Sequence, residues 1–181
     1  MEPIQHKAII VGVQLQHETN FAYSMEELRN LAAACDIQVT GELSQKASRI
    51  NPSHYIGTGK IQELSALLEA EEASIVIFND ELSPSQIRNL ESSLDIQVID
   101  RTILILNIFA ERAKTKEAQL QVEVAQLQYM LPRLTGLRES LGRQGGGAGL
   151  KNRGAGETKL ELDRRRIEER ISALQIELQQ Q

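Results

Sequence analysis

A basic, glycine-rich segment at residues 142–159 (GRQGGGAGLKNRGAGETK) is the part of the sequence best suited to bind phosphate groups. Seven of the twelve glycines lie between positions 142 and 156. Glycines allow backbone N–H groups to approach phosphate oxygens, while Arg and Lys supply charge. The segment contains no aromatic residue, so we expect recognition of shape and phosphate rather than base stacking. A flexible linker that is merely basic is the alternative. The predicted RNA-binding residues are Arg138, Arg143, Gly145, Gly146, Gly147, Gly149, Lys151, Arg153, Gly154, Gly156 and Lys159.

A second glycine-containing segment, HYIGTGK at residues 54–60, resembles a phosphate-binding loop. Gly57 and Gly59 would let a phosphate approach the backbone at a helix N-terminus, and Lys60 would add a positive charge. The Walker A pattern is not met, because His54 stands at its first glycine position and Ile61 follows the lysine. A tight turn into a helix is therefore the preferred interpretation. A nucleotide-binding module built on Gly57, Gly59 and Lys60 is the alternative.

The first hundred residues alternate β-branched runs with helical patterns. Two capping boxes, Ser24 with Glu27 and Ser83 with Gln86, predict helix starts, the second supported by Pro84. Connections too long for hairpins predict a parallel sheet, in which ligands usually lie at the carboxyl ends of the strands. We therefore predict an α/β fold with a small parallel four-stranded sheet and flanking helices over residues 1–100. The predicted strands are 7–15, 37–43, 73–78 and 96–100, and the predicted helices start at residues 24, 60 and 83.

The remaining residues, 101–181, predict a long antiparallel two-helix coiled-coil hairpin. Apolar positions at 3-4 spacing run from Ile103 to Leu134, interrupted only by Glu117, and Asp100 is placed to cap the helix start. Pro132 should kink or end this helix. A second apolar series runs from Leu160 to Leu178 and is opened by a predicted capping box, Thr158 to Glu161. The glycine-rich tip is predicted at 136–157. A coiled-coil interaction or dimerisation domain is the alternative, but a seam satisfied within one chain favours a monomer.

The two predicted parts of the chain differ in net charge. Residues 1–100 carry a net charge of −9 and residues 101–181 a net charge of +4. The single cysteine, Cys35, allows no internal disulfide, which is typical of the cytoplasm. No apolar run approaches the roughly 20 residues that a membrane span requires. No spacing of His, Cys and carboxylates predicts a metal site, and no catalytic machinery is evident.

Four segments resemble the N-terminal and helical regions of the HflX family of ribosome-associated GTPases, in the order in which that family carries them. They are residues 55–64 (YIGTGKIQEL), 82–91 (LSPSQIRNLE), 98–134 (VIDRTILILNIFAERAKTKEAQLQVEVAQLQYMLPRL) and 153–171 (RGAGETKLELDRRRIEERI). The resemblance covers nearly the whole chain. It differs at the tip, where Lys151 and Asn152 lengthen the approach to Arg153 and Ala155 stands where proline is usual. The tip should therefore be less rigid than in other members.

The resemblance implies binding to the large ribosomal subunit, with the hairpin tip reaching ribosomal RNA near the peptidyl-transferase region. It implies that the full-length protein hydrolyses GTP with Mg²⁺ and helps to split or rescue stalled ribosomes. GTP and Mg²⁺ would belong to a GTPase domain that follows this region in the family. No Walker A sequence occurs in the 181 residues, so we expect no cofactor here and the following GTPase domain as a partner.

Overall fold

The computed structural model describes residues 6–144 and 150–180, with side chains from 6 to 133 and from 165 to 180. Ten elements follow one another along these residues: β1 (His6–Leu15), α1 (Phe21–Ala34), β2 (Ile37–Ala47), α2 (Thr58–Ala70), β3 (Ile75–Phe78), α3 (Pro84–Leu94), β4 (Gln97–Asp100), α4 (Arg101–Arg112), α5 (Lys116–Gln144) and α6 (Leu150–Gln179). The chain divides into two compact units, and the boundary falls between Ile108 and Phe109.

The first unit is built on a four-stranded sheet of order β2-β1-β3-β4, in which every neighbouring pair is parallel. The predicted α/β fold with a parallel four-stranded sheet is therefore confirmed. Ala8–Val11 of β1 are fully buried because both faces of the sheet are covered. One face packs against α2 and α3 through Leu64, Leu68, Ile87 and Leu90, and the other packs against α1 and α4 through Met25, Leu28, Ala32 and Leu104.

The α1 helix lies close to β1 at Gly12. A Cβ atom built on Gly12 would stand 2.5 Å from Met25 Sδ and 2.9 Å from the Phe21 ring. The absence of a side chain therefore lets the first turns of α1 approach the sheet.

The two predicted capping boxes have different outcomes. The box of α3 is confirmed, since the Gln86 N–H donates to Ser83 Oγ at 3.1 Å and Gln86 Oε1 accepts from the Ser83 N–H at 3.0 Å. The box at Ser24 is wrong, because α1 begins at Phe21 and Ser24 lies inside the helix. Its hydroxyl contacts Asn79 and Arg101 instead, so distant side chains outweigh the local capping pattern.

The long helix predicted from the apolar spacing that begins at Ile103 is interrupted. Ala113 and Lys114 are not helical, and Thr115 starts α5 by accepting the Ala118 N–H on its hydroxyl at 3.0 Å. The Gln119 amide donates to the Ala113 carbonyl at 3.1 Å. Side-chain hydrogen bonds thus satisfy backbone groups at this break, as caps do at other helix termini.

Pro132 does not end the helix, because α5 contains Pro132 and continues to Gln144. A kink at Pro132 stays a prediction. Arg133 Nη1 donates to the Tyr129 carbonyl at 2.7 Å, and the guanidinium lies 3.4 Å from the centre of the Tyr129 ring. These contacts lie in the same turn as the proline, which lacks an N–H donor.

Helix α6 begins at Leu150, eight residues before the predicted start at Thr158. Gly154 and Gly156 therefore lie within a helix. Glycine costs a helix about 1 kcal/mol relative to alanine but does not forbid it. Helices thus occupy the described backbone at both ends of the predicted tip, and its bounds at 136–157 stay a prediction.

Candidate functional site

The second unit contains α5 and α6 packed against each other. Their described contact is apolar at its centre, where Leu174 is fully buried and Leu120, Val124 and Ile171 are nearly so. These are positions that the 3-4 spacing assigned to the two seams. Each helix uses one apolar stripe to cover the other, which accounts for an apolar pattern in an otherwise charged segment.

Two ion pairs fix the direction of α6 relative to α5. Lys116 Nζ lies 3.1 Å from Glu177 Oε1, and Arg170 Nε lies 3.0 Å from Glu123 Oε1. Residue numbers rise along α5 while those of the partners fall along α6, so the helices are antiparallel. Exposed ion pairs of this kind contribute little to stability, so the apolar contact supplies most of it.

The antiparallel arrangement brings the end of α5 and the start of α6 to the same end of the helix pair. Only five residues separate Gln144 from Leu150, and they span at most about 20 Å. Arg143 lies twenty residues beyond Glu123, which is about 30 Å along a helix. The described backbone at Arg143 thus lies well away from Glu123.

The predicted RNA-binding residues fall into two groups. The backbone of the first group is helical, and its side chains lie outside the described residues; the members are Arg138 and Arg143 in α5 and Lys151, Arg153, Gly154, Gly156 and Lys159 in α6. The second group, Gly145, Gly146, Gly147 and Gly149, lies wholly outside the described residues.

The second predicted site, residues 54–60, lies at the start of α2. Gly57 is the N-cap residue, and its N–H donates to Gln45 Oε1 at 3.0 Å. Gly59 faces open space, since a Cβ atom there would meet nothing within 4 Å. Lys60 Nζ pairs with Glu63 at 3.0 Å. The donors that a phosphate would use at Gly57 and Lys60 therefore already have protein partners, and a phosphate loop at this position stays a prediction.

Tyr55 packs the segment at residues 54–60 against the sheet. It is buried, packs edge-on against Phe78 with ring centres 5.3 Å apart, and donates its hydroxyl to Asp80. Burial and the neighbouring Asp80 carboxylate raise the pKa of Tyr55 above its ordinary value. These contacts favour the interpretation of the segment as a tight turn that starts a helix.

Sequence reasoning missed a polar cluster beside the carboxyl ends of β3 and β4. Asn79 is buried; its amide donates to Ser24 Oγ at 3.0 Å and its carbonyl oxygen accepts from Arg101 Nη1 at 2.9 Å. Arg101 also pairs with Glu27. Asn79 and Arg101 each follow a strand directly. Polar residues at the carboxyl ends of neighbouring parallel strands lie close together, and this position in the sequence could have predicted the cluster. The cluster joins α1, β3 and α4, so its evident role is structural.

Asp100 caps α4 as predicted. Its Oδ1 accepts from the Ile103 N–H at 3.1 Å, and its Oδ2 accepts from the Leu82 N–H at 3.0 Å. Both bonds involve a fully buried carboxylate. One side chain therefore holds the loop before α3 against the start of α4.

Within the described residues, no three His, Cys, Asp or Glu side chains are grouped as a metal site would require. None of the helices described in the structure combines the length and the apolar character needed to cross a membrane.

Comparison with known proteins gives the family. Residues 22–110 match the N-terminal model of GTP-binding GTPases, and residues 112–181 match the model of their middle region. The GTPase HflX of Alkalihalophilus pseudofirmus is 51% identical over 177 residues, which is 97% of this chain. The chain belongs to the HflX family. The GTPase HflX of Escherichia coli is 39% identical over 173 residues, or 96% of the chain. The chain spans about two fifths of these relatives, 41% and 40% of their lengths.

The fold is shared with a solved structure, a GTP-binding protein from Sulfolobus solfataricus in complex with GDP. The two chains are 23% identical with a TM-score of 0.59, and the similarity covers 98% of this chain and 45% of the other. The family predicted from four sequence segments is confirmed by the two family models and by the HflX relatives.

Proposed function

We propose that this chain is the ribosome-binding region of an HflX-type GTPase and that the segment between α5 and α6 contacts ribosomal RNA of the large subunit. The observation that carries the proposal is the antiparallel pairing of α5 with α6. This pairing brings the end of α5 and the start of α6 to the same end of the pair, which supports a position at that end for the basic, glycine-rich segment. We further propose that the pair continues as a coiled-coil hairpin to the tip.

The charge distribution supports an RNA partner for this end of the pair. Eight Lys and Arg residues lie between positions 138 and 166, against four Asp and Glu residues. Lys and Arg side chains suit phosphate contacts, which supply affinity without base specificity. The partner is accordingly expected to be recognised by shape and charge, in the cytoplasm where ribosomes are found.

GTP and Mg²⁺ do not fit this chain itself. Its sequence lacks a Walker A lysine followed by Ser or Thr, and the described residues hold no group of metal ligands. We therefore assign GTP hydrolysis, and any splitting or rescue of ribosomes that it drives, to a GTPase domain outside this chain. The pairing of α5 with α6 uses the apolar seams within one chain, so we expect a monomer.

Sedimentation with purified large subunits at rising salt tests the proposal. If five phosphate contacts form, the logarithm of affinity should fall with the logarithm of salt concentration with a slope of about −3.5 to −4.5. Replacing Arg143, Lys151 and Arg153 with Ala should weaken binding and reduce this slope by about 2 to 3.

A matched control removes the same charge from the residues that precede and begin α5. Arg112, Lys114 and Lys116 are exposed, and their replacement with Ala should leave the slope unchanged. Equal binding by the native chain and the tip variant would refute the assignment of the tip. Equal losses from both triple variants would show that binding follows total charge instead.

A further inference from the structure

The β1–β2 pair extends beyond the rest of the sheet. β3 ends at Phe78, which is in register with Val11, whereas β1 and β2 stay paired up to Leu15 and Ala47. The last four residue pairs therefore form a two-stranded ribbon of roughly 13 Å. Such a ribbon presents two faces, since alternate side chains point to opposite sides.

One face of the ribbon is covered by apolar residues. Val13 and Leu43 are buried there and belong to the same core cluster as Tyr55 and Ile56. The other face continues beyond the point where α1 contacts Gly12. Its residues are polar, and the register places Gln14 directly beside Lys46.

A cavity of about 430 Å³ opens on this ribbon, a volume in the range of small-ligand sites. We call it the ribbon cleft; it is lined by Gln14, Leu15, Gln16, Lys46, Ala47 and Ser48. None of these six residues is acidic, in a part of the chain whose net charge is −9.

Lys46 supplies the one charge among the residues that line the cleft, and neither nearby carboxylate, Glu42 or Glu18, pairs with it. Lys46 is exposed and forms no ion pair with any residue whose side chain is described. Glu42, four residues earlier on β2, is paired with Arg29 at 3.0 Å. Glu18 Oε2 accepts the Leu15 N–H at 3.2 Å.

We propose that the ribbon cleft binds a phosphate group, with Lys46 as its cation and Gln14, Gln16 and Ser48 as hydrogen-bonding partners. An ammonium group is a point charge that suits tetrahedral phosphate, whereas paired recognition of a carboxylate typically uses Arg. The two glutamine amides both donate and accept, so they suit the hydroxyls and base edges that accompany a phosphate in a nucleotide. The phosphate belongs either to an RNA strand or to a free nucleotide.

Backbone and side-chain amide resonances of the isotope-labelled 181-residue chain provide the test. The chain is titrated with inorganic phosphate, with adenosine monophosphate and with a short oligouridylate. We expect saturable shifts confined to residues 14–16 and 46–48. Saturation by phosphate or the mononucleotide identifies a small ligand, and saturation by the oligonucleotide alone identifies an RNA strand. Either result supports the cleft, and no localised shift with any of the three probes overturns it.

Two variants test whether Lys46 supplies the positive charge that binds the ligand. Lys46→Gln should weaken binding about tenfold, as expected for the loss of one charged hydrogen bond. Lys7→Gln removes the same charge from the other end of β1 and should leave the affinity unchanged. Equal affinity of Lys46→Gln and the native chain would contradict the proposal. The tip is not altered in these variants, so failure of the ribbon cleft and failure of the ribosome-binding proposal are separately visible.

Discussion

Replacing Asp100 with Asn should destabilise the first unit. The carboxylate accepts one N–H on each oxygen, from Leu82 at 3.0 Å and from Ile103 at 3.1 Å, and it is fully buried. An asparagine keeps only one acceptor oxygen, so its NH₂ group must face the second backbone donor. We expect the free energy of unfolding to fall by about 2–3 kcal/mol, because a charged hydrogen bond is lost and a buried donor is left unsatisfied.

Thermal unfolding followed by circular dichroism measures this loss. For a unit of this size, each kcal/mol corresponds to about 4 °C, so the midpoint should fall by about 8–12 °C. Amide hydrogen exchange adds a local readout, since the Leu82 and Ile103 N–H groups should lose more protection than other amides.

Asp36→Asn is the matched control. Asp36 is exposed at the end of α1 with a φ of 59°, a conformation that asparagine adopts readily. This variant should change the stability by less than about 0.5 kcal/mol. If Asp100→Asn were equally harmless, the Asp100 carboxylate would not be holding the two amides, and the reasoning would be refuted.

Three further predictions concern packing and pH. Gly12→Ala should cost about 1–2 kcal/mol because its Cβ meets α1, whereas Gly59→Ala, facing open space, should cost nothing or stabilise α2 slightly; urea unfolding distinguishes them. Leu174→Ala should lower the free energy of unfolding by about 2–4 kcal/mol, whereas Arg170→Ala should lower it far less, as measured by helicity loss in urea. Burial raises the pKa of Glu91 above 4.5, so its protonated form favours folding and this contribution is lost as the pH rises. Glu91→Gln should therefore be more stable than the native chain at pH 7, and equally stable near pH 4.

Local sequence signals predicted the fold where the interacting groups are close in the chain. Ser83 and Gln86 are three residues apart, and their capping box forms. The same spacing at Ser24 failed, because its hydroxyl contacts Asn79 and Arg101, which lie 55 and 77 residues away. A pattern read along the chain contains no information about such partners. The competition between local and distant hydrogen bonds is decided only in the folded protein.

The helix interruption shows a second kind of failure. The apolar spacing continues through residues 113–115, so periodicity alone gives no signal there. Thr115 has the side chain of a cap but lacks an acidic or amide partner at position 118, where Ala stands. The only sequence signal of the break was therefore one capping hydroxyl, at Thr115. A complete capping box, with two residues at a fixed spacing, would have been easier to identify.

The two proposed surfaces differ in what the sequence could show. The tip was visible because its glycines and cations are contiguous. The ribbon cleft was not, because Gln14 and Lys46 lie 32 positions apart and become neighbours only through the parallel register of β1 and β2. A shift of that register by one residue would move Lys46 to the apolar face, so the cleft depends directly on the pairing.

The salt dependence of ribosome binding can distinguish the two possible ligands of the ribbon cleft. If the cleft binds a phosphate of the RNA that the tip also contacts, each contact adds to the number of counterions released. Adding Lys46→Gln to the triple tip variant should then reduce the salt slope by a further 0.7–0.9 or so. The loss of affinity for the ribosome should also exceed the loss measured for a separate ligand of the cleft, since two binding surfaces in one chain raise each other's effective concentration. If the cleft binds a free nucleotide, the quadruple and triple variants should have the same slope. A lower slope after Lys7→Gln in the same background would contradict both interpretations, because it would mean that charge anywhere on the sheet contributes.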